Sequence, residues 1–269
     1  VEHVNVFGGS GFIGSRFVEL NLDSVVNSRN DYEVKTKNVL YLISTVDNYN
    51  IFTDPYLDID TNLTTLIKVL ETCKDKDVTF NFISSWYVYG NIESPMKETD
   101  YCYPNGFYGI TKRAAEQMLI HYCETFGIKY RILRLSNVLG AGDKKVSKRK
   151  NVLQYMVNQL KINEDVTIFN EKISRDYLHV DDVISAISLV LEHGEQNEIY
   201  NIGRGKPHRL IDIICLAKAS LHSTSEIIIT NKPTGLTIEE SYFDITKLKS
   251  LGFVHRISIM SIIKELTET

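Results

Sequence analysis

Short apolar runs alternate with amphipathic stretches along this chain. Residues 4–7, 39–43, 78–84, 130–135 and 199–202 are short, partly β-branched, and bounded by polar residues or glycine; each predicts a strand. Between them lie helical periods. Ile59, Leu63, Leu66, Ile67 and Leu70 form one stripe, and Val183, Ile187, Val190 and Leu191 another. Ala115, Met118, Leu119, Tyr122 and Phe126 form a third, with Gly127 where a C-terminal cap belongs. Strand–helix alternation predicts an α/β chain whose parallel sheet carries helices on both faces.

One segment breaks the alternation. Only 24 residues separate Gly14 from Val39. A strand fits residues 24–28, but nine residues then remain between Arg29 and Val39. A parallel crossover with its helix needs about ten to twelve. The first half of the sheet is therefore expected to be trimmed, or its second strand irregular.

Composition narrows the class. The 269 residues are 43% hydrophobic with only 15 Gly and 5 Pro, which excludes a disordered or fibrous chain and permits a sizeable core. A net charge of −4 gives no general field for nucleic acid or an anionic membrane, and no apolar run approaches the ~20 residues of a membrane helix. The first residues lead straight into an apolar strand without a basic leader. Cys73, Cys102, Cys123 and Cys215 are isolated, without metal-ligand spacing, so reduced thiols and a cytoplasmic location are expected, with no metal.

Gly8-Gly9-Ser10-Gly11-Phe12-Ile13-Gly14 follows the first strand and opens a helix. Glycines at 8, 11 and 14 let the backbone turn tightly and bring N–H groups to a diphosphate at the helix N-terminus. A dinucleotide is the expected ligand, held by Gly8, Gly11, Phe12, Ile13 and Gly14. Enzymes preferring NAD place an acid at the end of the second strand. Here Val25-Val26-Asn27-Ser28-Arg29 has none. Ser28 with Arg29 suits the 2′-phosphate of NADP, with Arg16 as a possible helper, although both arginines also read as solvated surface charges. NADP and NAD both stay open, with NADP ahead.

Tyr108-Gly109-Ile110-Thr111-Lys112 puts a phenol and an ammonium at i and i+4 of one helix face. The expectation is that Lys112 lowers the Tyr108 pKa, so that the phenol exchanges a proton with a sugar hydroxyl during dinucleotide redox chemistry.

These residues, together with Ser84-Ser85-Trp86-Tyr87-Val88-Tyr89-Gly90, resemble the extended short-chain dehydrogenase/reductase superfamily, and within it the NAD(P)-dependent nucleotide-sugar epimerase/dehydratase/reductase family. The likeness covers nearly the whole chain. It includes Asp54-Pro55-Tyr56 leading to Asn62, Leu133-Arg134-Leu135-Ser136-Asn137-Val138, Arg175-Asp176-Tyr177-Leu178-His179-Val180-Asp181-Asp182, Tyr200-Asn201-Ile202-Gly203, and Asp244-Ile245-Thr246-Lys247. The resemblance implies Ser85, Tyr108 and Lys112 as catalytic residues: Ser85 on the substrate oxygen, Tyr108 as acid/base, Lys112 on the nicotinamide ribose. It also implies that Asn137 and Arg175 hold the diphosphate and nucleotide of a nucleotide sugar. Taken singly, Ser85 equally reads as a strand-end cap, Asn137 as a turn residue, and Arg175 as an ion-pair partner of Asp176 or Asp182.

The departures carry information. Dehydratases of this family have an Asp-Glu pair directly after the Ser/Thr; here Trp86 and Tyr87 stand there, which disfavours dehydration. Trp86 and Tyr87 pack either on the hexose or in the core. Pro233-Thr234-Gly235-Leu236-Thr237 lacks a substrate-binding Arg, and Lys144, Lys145, Lys148, Arg149 and Lys150 form a basic run that is either a diphosphate clamp or a solvated loop.

The resulting expectation is a Rossmann-type doubly wound parallel sheet, its first half trimmed, with a smaller substrate-binding lobe. Residues 1–138 with 175–203 form the cofactor lobe, and 139–174 with 204–269 the sugar lobe. The function expected is oxidoreduction at carbon 4 of a nucleotide-linked sugar. A 4-keto-6-deoxyhexose reductase leads, a 4-epimerase is second, and a silent dinucleotide sensor is the alternative of another class. No nucleic-acid or membrane partner is expected. The resemblance suggests a homodimer through the helices bearing Asn62 and Tyr108.

Overall fold

The structure, a computed structural model, describes residues 3–47, 49–143, 151–230 and 238–269. The basic run 144–150 and the segment 233–237 lie outside the described residues. Strand β1 (Val4–Phe7) leads through the glycine turn into α1 (Phe12–Leu20), then β2 (Val25–Val26) and β3 (Asn38–Tyr41). Next come α2 (Pro55–Ile59), α3 (Thr65–Glu71), β4 (Thr79–Ser85), α4 (Phe107–Phe126) and β5 (Lys129–Leu135). All six strands of the main sheet run parallel, in the order β10-β5-β4-β3-β1-β2, where β10 is Glu198–Ile202.

The strands are short apolar runs because both faces are covered. In β1, Val4 and Val6 face a core shared with Phe17 of α1 and with Val183, Ile187 and Val190 of α6 (Val180–His193). Phe7, one residue out of step, joins the opposite core with Leu66 and Leu70 of α3 and Ala115 and Leu119 of α4. Period-two alternation thus feeds two helix layers, and each fully buried Phe or Leu contributes about 2 kcal/mol. Gly127 caps α4 in the left-handed region, at φ 67°.

The trimmed unit is where the sequence places it. The strand expected over 24–28 shrinks to Val25–Val26, and residues 27–37 return to β3 without a helix. Side-chain amides replace the helix's hydrogen bonds. Asn5, fully buried on β1, donates to Val25 O (3.1 Å) and to Asn27 Oδ1, and accepts from Lys35 N (2.7 Å). Asn27 donates to Asp31 O (3.0 Å) and Glu33 O (2.9 Å), while Thr72 Oγ1 accepts from Val34 N (3.2 Å). Backbone groups that a helix would pair internally are thereby satisfied.

The stripe through Ile59 and Leu70 is not one regular helix. Asp60–Thr64 forms a π-type turn between α2 and α3. The extra residue rotates the face, so Ile59 is exposed while Asn62 is buried.

The remaining elements are β6 (Asn137–Leu139), α5 (Val152–Lys161), β7 (Val166–Ile168), β8 (Ser174–Arg175) and β9 (Tyr177–His179) before α6 and β10. After β10 come β11 (His208–Arg209), α7 (Leu210–Leu221), β12 (Ile227–Ile229), β13 (Glu240–Ser241), α8 (Thr246–Ser250) and α9 (Ile259–Glu268). Leu153 and Val157 of α5, Ile213 and Ile214 of α7, and Ile262 and Leu266 of α9 share a third core. Among the described residues no helix is long and apolar enough to cross a membrane.

Candidate active site

The chain leaves β1 at the sheet's carboxyl edge, beside β3, where the strand order reverses. Gly8 turns at φ +86°, and Gly11 N donates to Gly8 O (3.1 Å). A Cβ on Gly14 would stand 2.3 Å from Gly8 O, so only glycine lets α1 start this close to the turn. No side chain caps α1, which leaves its first-turn N–H groups, including those of Phe12 and Ile13, facing out of the turn. This cradle fits a diphosphate.

The adenosine side is spare. Asn27 is consumed by its amide network, while Ser28 and Arg29 are exposed. Asp31 is engaged by Lys35 (2.6 Å), which holds its carboxyl below the usual range, and Glu33 N donates to it as well. Arg16 does not point to a ligand: its guanidinium grips Asp181 (2.6 and 3.0 Å) and Glu19 (2.8 Å).

Ser85 ends β4, and its Oγ accepts from Tyr87 N at 3.4 Å. Tyr108 and Lys112 lie on α4 and are buried. The phenol lies close to the hydroxyls of Ser44 and Ser85 and meets the Tyr87 ring edge-on at 5.6 Å. Burial pushes its pKa up to about 12, and the two nearby serine hydroxyls offset this only in part. The expected lowering by Lys112 is not found. Lys112 Nζ donates to Ile83 O (2.7 Å) and lies 4.1 Å from the centre of the Phe82 ring. Burial drives its pKa down to about 7, opposed by Glu116. The low dielectric around α4 therefore outweighs the i, i+4 attraction read from the sequence.

Glu116 continues the same helix face and is fully buried. Burial would raise its carboxyl, but Arg134 (2.9 and 2.8 Å) and Arg113 (2.8 Å) hold it below the usual range. Asn62, turned inward by the π-type turn, accepts from Thr45 N (2.9 Å) and donates to Thr45 Oγ1 (2.9 Å) and Thr111 Oγ1 (3.0 Å). Asp58, one turn earlier, is fully buried; Asn50 donates to its Oδ1 at 2.9 Å.

Trp86 and Tyr87 stack with centroids 4.1 Å apart, and the Arg175 guanidinium lies 5.6 Å from the Trp86 ring centre. The structure thus gathers Ser85, Trp86, Tyr87, Tyr108, Lys112 and Arg175. Arg175 makes neither expected ion pair. It donates to the carbonyls of Ser174 (2.8 Å), Glu239 (3.0 Å) and Ile238 (2.7 Å). Asn137 donates through both Nδ2 (3.0 Å) and its backbone N (3.1 Å) to Asp176 O. The sequence reading missed Ser44, Asp58, and the Glu116–Arg134 pair. Only Glu116 left a signal there, four residues beyond Lys112. Among the described residues no His/Cys/Asp/Glu group could hold a metal.

A model of the NAD dependent epimerase/dehydratase family matches residues 33–203. The chain belongs to this family. It is 28% identical to a putative UDP-glucose 4-epimerase of Methanocaldococcus jannaschii, over 97% of this chain and 96% of that protein. It is 29% identical to the GDP-6-deoxy-D-mannose reductase of Pseudomonas aeruginosa, over 61% of this chain and 56% of that one. It superposes on the crystal structure of a UDP-glucose 4-epimerase with UDP-glucose from Thermotoga maritima with a TM-score of 0.88 and 26% identity, covering 99% and 97% of the two chains. As a member of the family, the protein is an NAD(P)-dependent enzyme of extended short-chain dehydrogenase/reductase type.

Proposed function

We propose that this enzyme carries out oxidoreduction at carbon 4 of a nucleotide-linked sugar, as a reductase of a 4-keto-6-deoxyhexose. The observation that carries the reading is the meeting, at one sheet edge, of the glycine cradle with Ser85, Tyr108 and the buried Lys112. Gly8, Gly11, Phe12, Ile13 and Gly14 would hold the dinucleotide's diphosphate, Ser28 and Arg29 its adenosine phosphate, and Lys112 with Tyr108 its nicotinamide ribose. When bound, the dinucleotide supplies the electron pair exchanged with the sugar carbon. Ser85 orients the keto oxygen, and Tyr108, protonated through neutral pH, gives it a proton. Trp86 and Tyr87 form an aromatic wall for the hexose, beside Asn137 and Arg175 on the nucleotide side.

The division into a cofactor lobe (1–138 with 175–203) and a sugar lobe (139–174 with 204–269) belongs to this reading, as do a cytoplasmic setting and a homodimer.

The spare exit from β2 favours the reductase. A reductase exchanges its dinucleotide every turn, whereas an epimerase gains from never releasing it. The full-length likeness to epimerases supports a 4-epimerase as the second reading. The test is to purify the protein, measure bound dinucleotide, and offer NADPH with a nucleotide-linked 4-keto-6-deoxyhexose. Little bound dinucleotide and stoichiometric NADPH oxidation are expected. Retained NAD with interconversion of 4-epimers, no cofactor being added, would establish the epimerase; bound cofactor with no turnover of any nucleotide sugar would establish a sensor.

A further inference from the structure

Lys112 and Glu116 stand about one turn apart on the same face of α4, the spacing at which a lysine and a glutamate pair. Both are buried, where opposite charges attract far more strongly than in water. Among the described residues they nevertheless do not pair. Lys112 turns to β4 instead, where Nζ donates to Ile83 O (2.7 Å) and lies over the Phe82 ring. An ammonium carries three protons, so two remain for a ligand.

The Glu116 carboxylate is already occupied. Arg134 grips it with both prongs, Nε to Oε1 at 2.9 Å and Nη2 to Oε2 at 2.8 Å. Arg113 bonds to Oε2 as well (2.8 Å), which leaves Oε1 to Arg134. The sheet sets where Arg134 stands. It faces Ser84 in the β4–β5 ladder, one step beyond the Leu133–Ile83 pair whose Ile83 carbonyl receives Lys112. Its guanidinium lies 4.6 Å from the Tyr89 ring centre, and Nη1 reaches Glu98 O at 3.5 Å. Tyr89 in turn donates to Asn201 of β10 at 2.7 Å. A buried ion pair adds little stability over apolar residues of the same size, so stability alone does not account for this one.

We propose that Arg134 is a positioning residue, which occupies Glu116 so that the Lys112 ammonium stays free for the nicotinamide ribose of the dinucleotide. The proposal rests on the reading of Lys112 given above. Without Arg134, Glu116 keeps Oε1 open in a dry setting, and Lys112 swings to it from Ile83 O. The ammonium is then held by the protein and lost to the ligand. With Arg134 in place, Glu116 still favours the charged form of Lys112 from one turn away, without contact.

The experiment compares Arg134→Met, Glu116→Gln and the double variant with the wild type. Two quantities are read: the titration of Lys112, by NMR of isotope-labelled lysine assigned through its loss in Lys112→Met, and the affinity for NADPH, by fluorescence titration. In Arg134→Met, Lys112 should titrate above its wild-type position, because it now touches a carboxylate. NADPH affinity should fall about tenfold in that variant. In Glu116→Gln, Lys112 should titrate below the wild type. The double variant buries neither charge and has no carboxylate to capture Lys112; Lys112 should again titrate below the wild type, and most of the NADPH affinity should return. Lys112 titrating at or below its wild-type position in Arg134→Met would overturn the proposal. A folded double variant that binds NADPH about tenfold more weakly than the wild type would make the role one of packing and overturn it too, and this arm decides if Arg134→Met fails to fold. NADPH binding by Lys112→Met as tight as in the wild type would remove Lys112 from the ribose, and the proposal with it, whatever the titrations show.

Discussion

At the scale of single residues, Lys112 shows what the site costs. Its folded pKa is pushed by burial to about 7, below the 10.5 of an unfolded lysine. Between those values the unfolded chain binds the proton more tightly, so this group's contribution to stability grows as pH rises from 7 and is lost as pH falls through 7. Lys112→Met should therefore melt at a higher temperature than the wild type near pH 6.5. The gap should narrow by pH 9, while turnover disappears; thermal melts at the two pH values check this. Arg29 makes the cofactor reading testable in the same manner. Exposed and without an ion pair among the described residues, it is free to hold a 2′-phosphate. Arg29→Ala is expected to weaken NADP by about 1.5–3 kcal/mol and NAD much less, as read by titration calorimetry. Tyr108 and Lys112 stood out by their i, i+4 spacing, and Ser85 only through the family resemblance of residues 84–90. Ser44 and Asp58 left no mark: they approach Tyr108 from 64 and 50 positions away in the chain, on other elements.

At the scale of elements, buried parallel strands announce themselves as short apolar runs, so the five clear strands and the trimmed crossover were all readable. What fills the trimmed crossover was not, because a lone Asn in an apolar strand gives no hint of three partners. Asn5→Ala would leave Val25 O, Asn27 and Lys35 N without that amide. A loss of about 2–3 kcal/mol is expected, seen as a lower urea midpoint at unchanged m-value. The π-type turn escaped for a different reason. A stripe spaced for an ordinary helix fits Ile59 to Leu70, and only the inward demand of Asn62 breaks it.

At the scale of the molecule, Asp176 joins distant segments. Its carboxylate accepts from the backbone N–H groups of Arg204 (2.8 Å), Gly205 (2.9 Å) and Phe243 (3.5 Å). Burial raises its pKa to about 6, with those N–H groups opposing. The folded chain thus binds this proton more tightly than the unfolded one. The stabilisation from that proton is complete below the unfolded value of 3.8 and vanishes as pH rises through about 6. Asp176→Asn should remove this pH dependence between 4 and 7. It should also lower stability by about 2–3 kcal/mol, since an amide cannot accept from all three donors; urea midpoints across that range are the measurement. A longer tie runs from Arg16 of α1 to Asp181, at the start of α6, where His179 meets Glu265 of α9 (2.8 Å). It links the helix behind the glycine cradle to the last helix of the chain.

The brevity of β2 has one more effect, on how molecules of this protein meet each other. β2 is the outermost strand of the main sheet, and Val26 is 43% exposed. A long, flat edge of that kind recruits foreign strands and seeds aggregation. Two residues are too few to template a neighbour, and the polar stretch that follows turns away at once. With this strand cut to two residues and no helix after it, the chain ends its sheet on a margin too short to be copied.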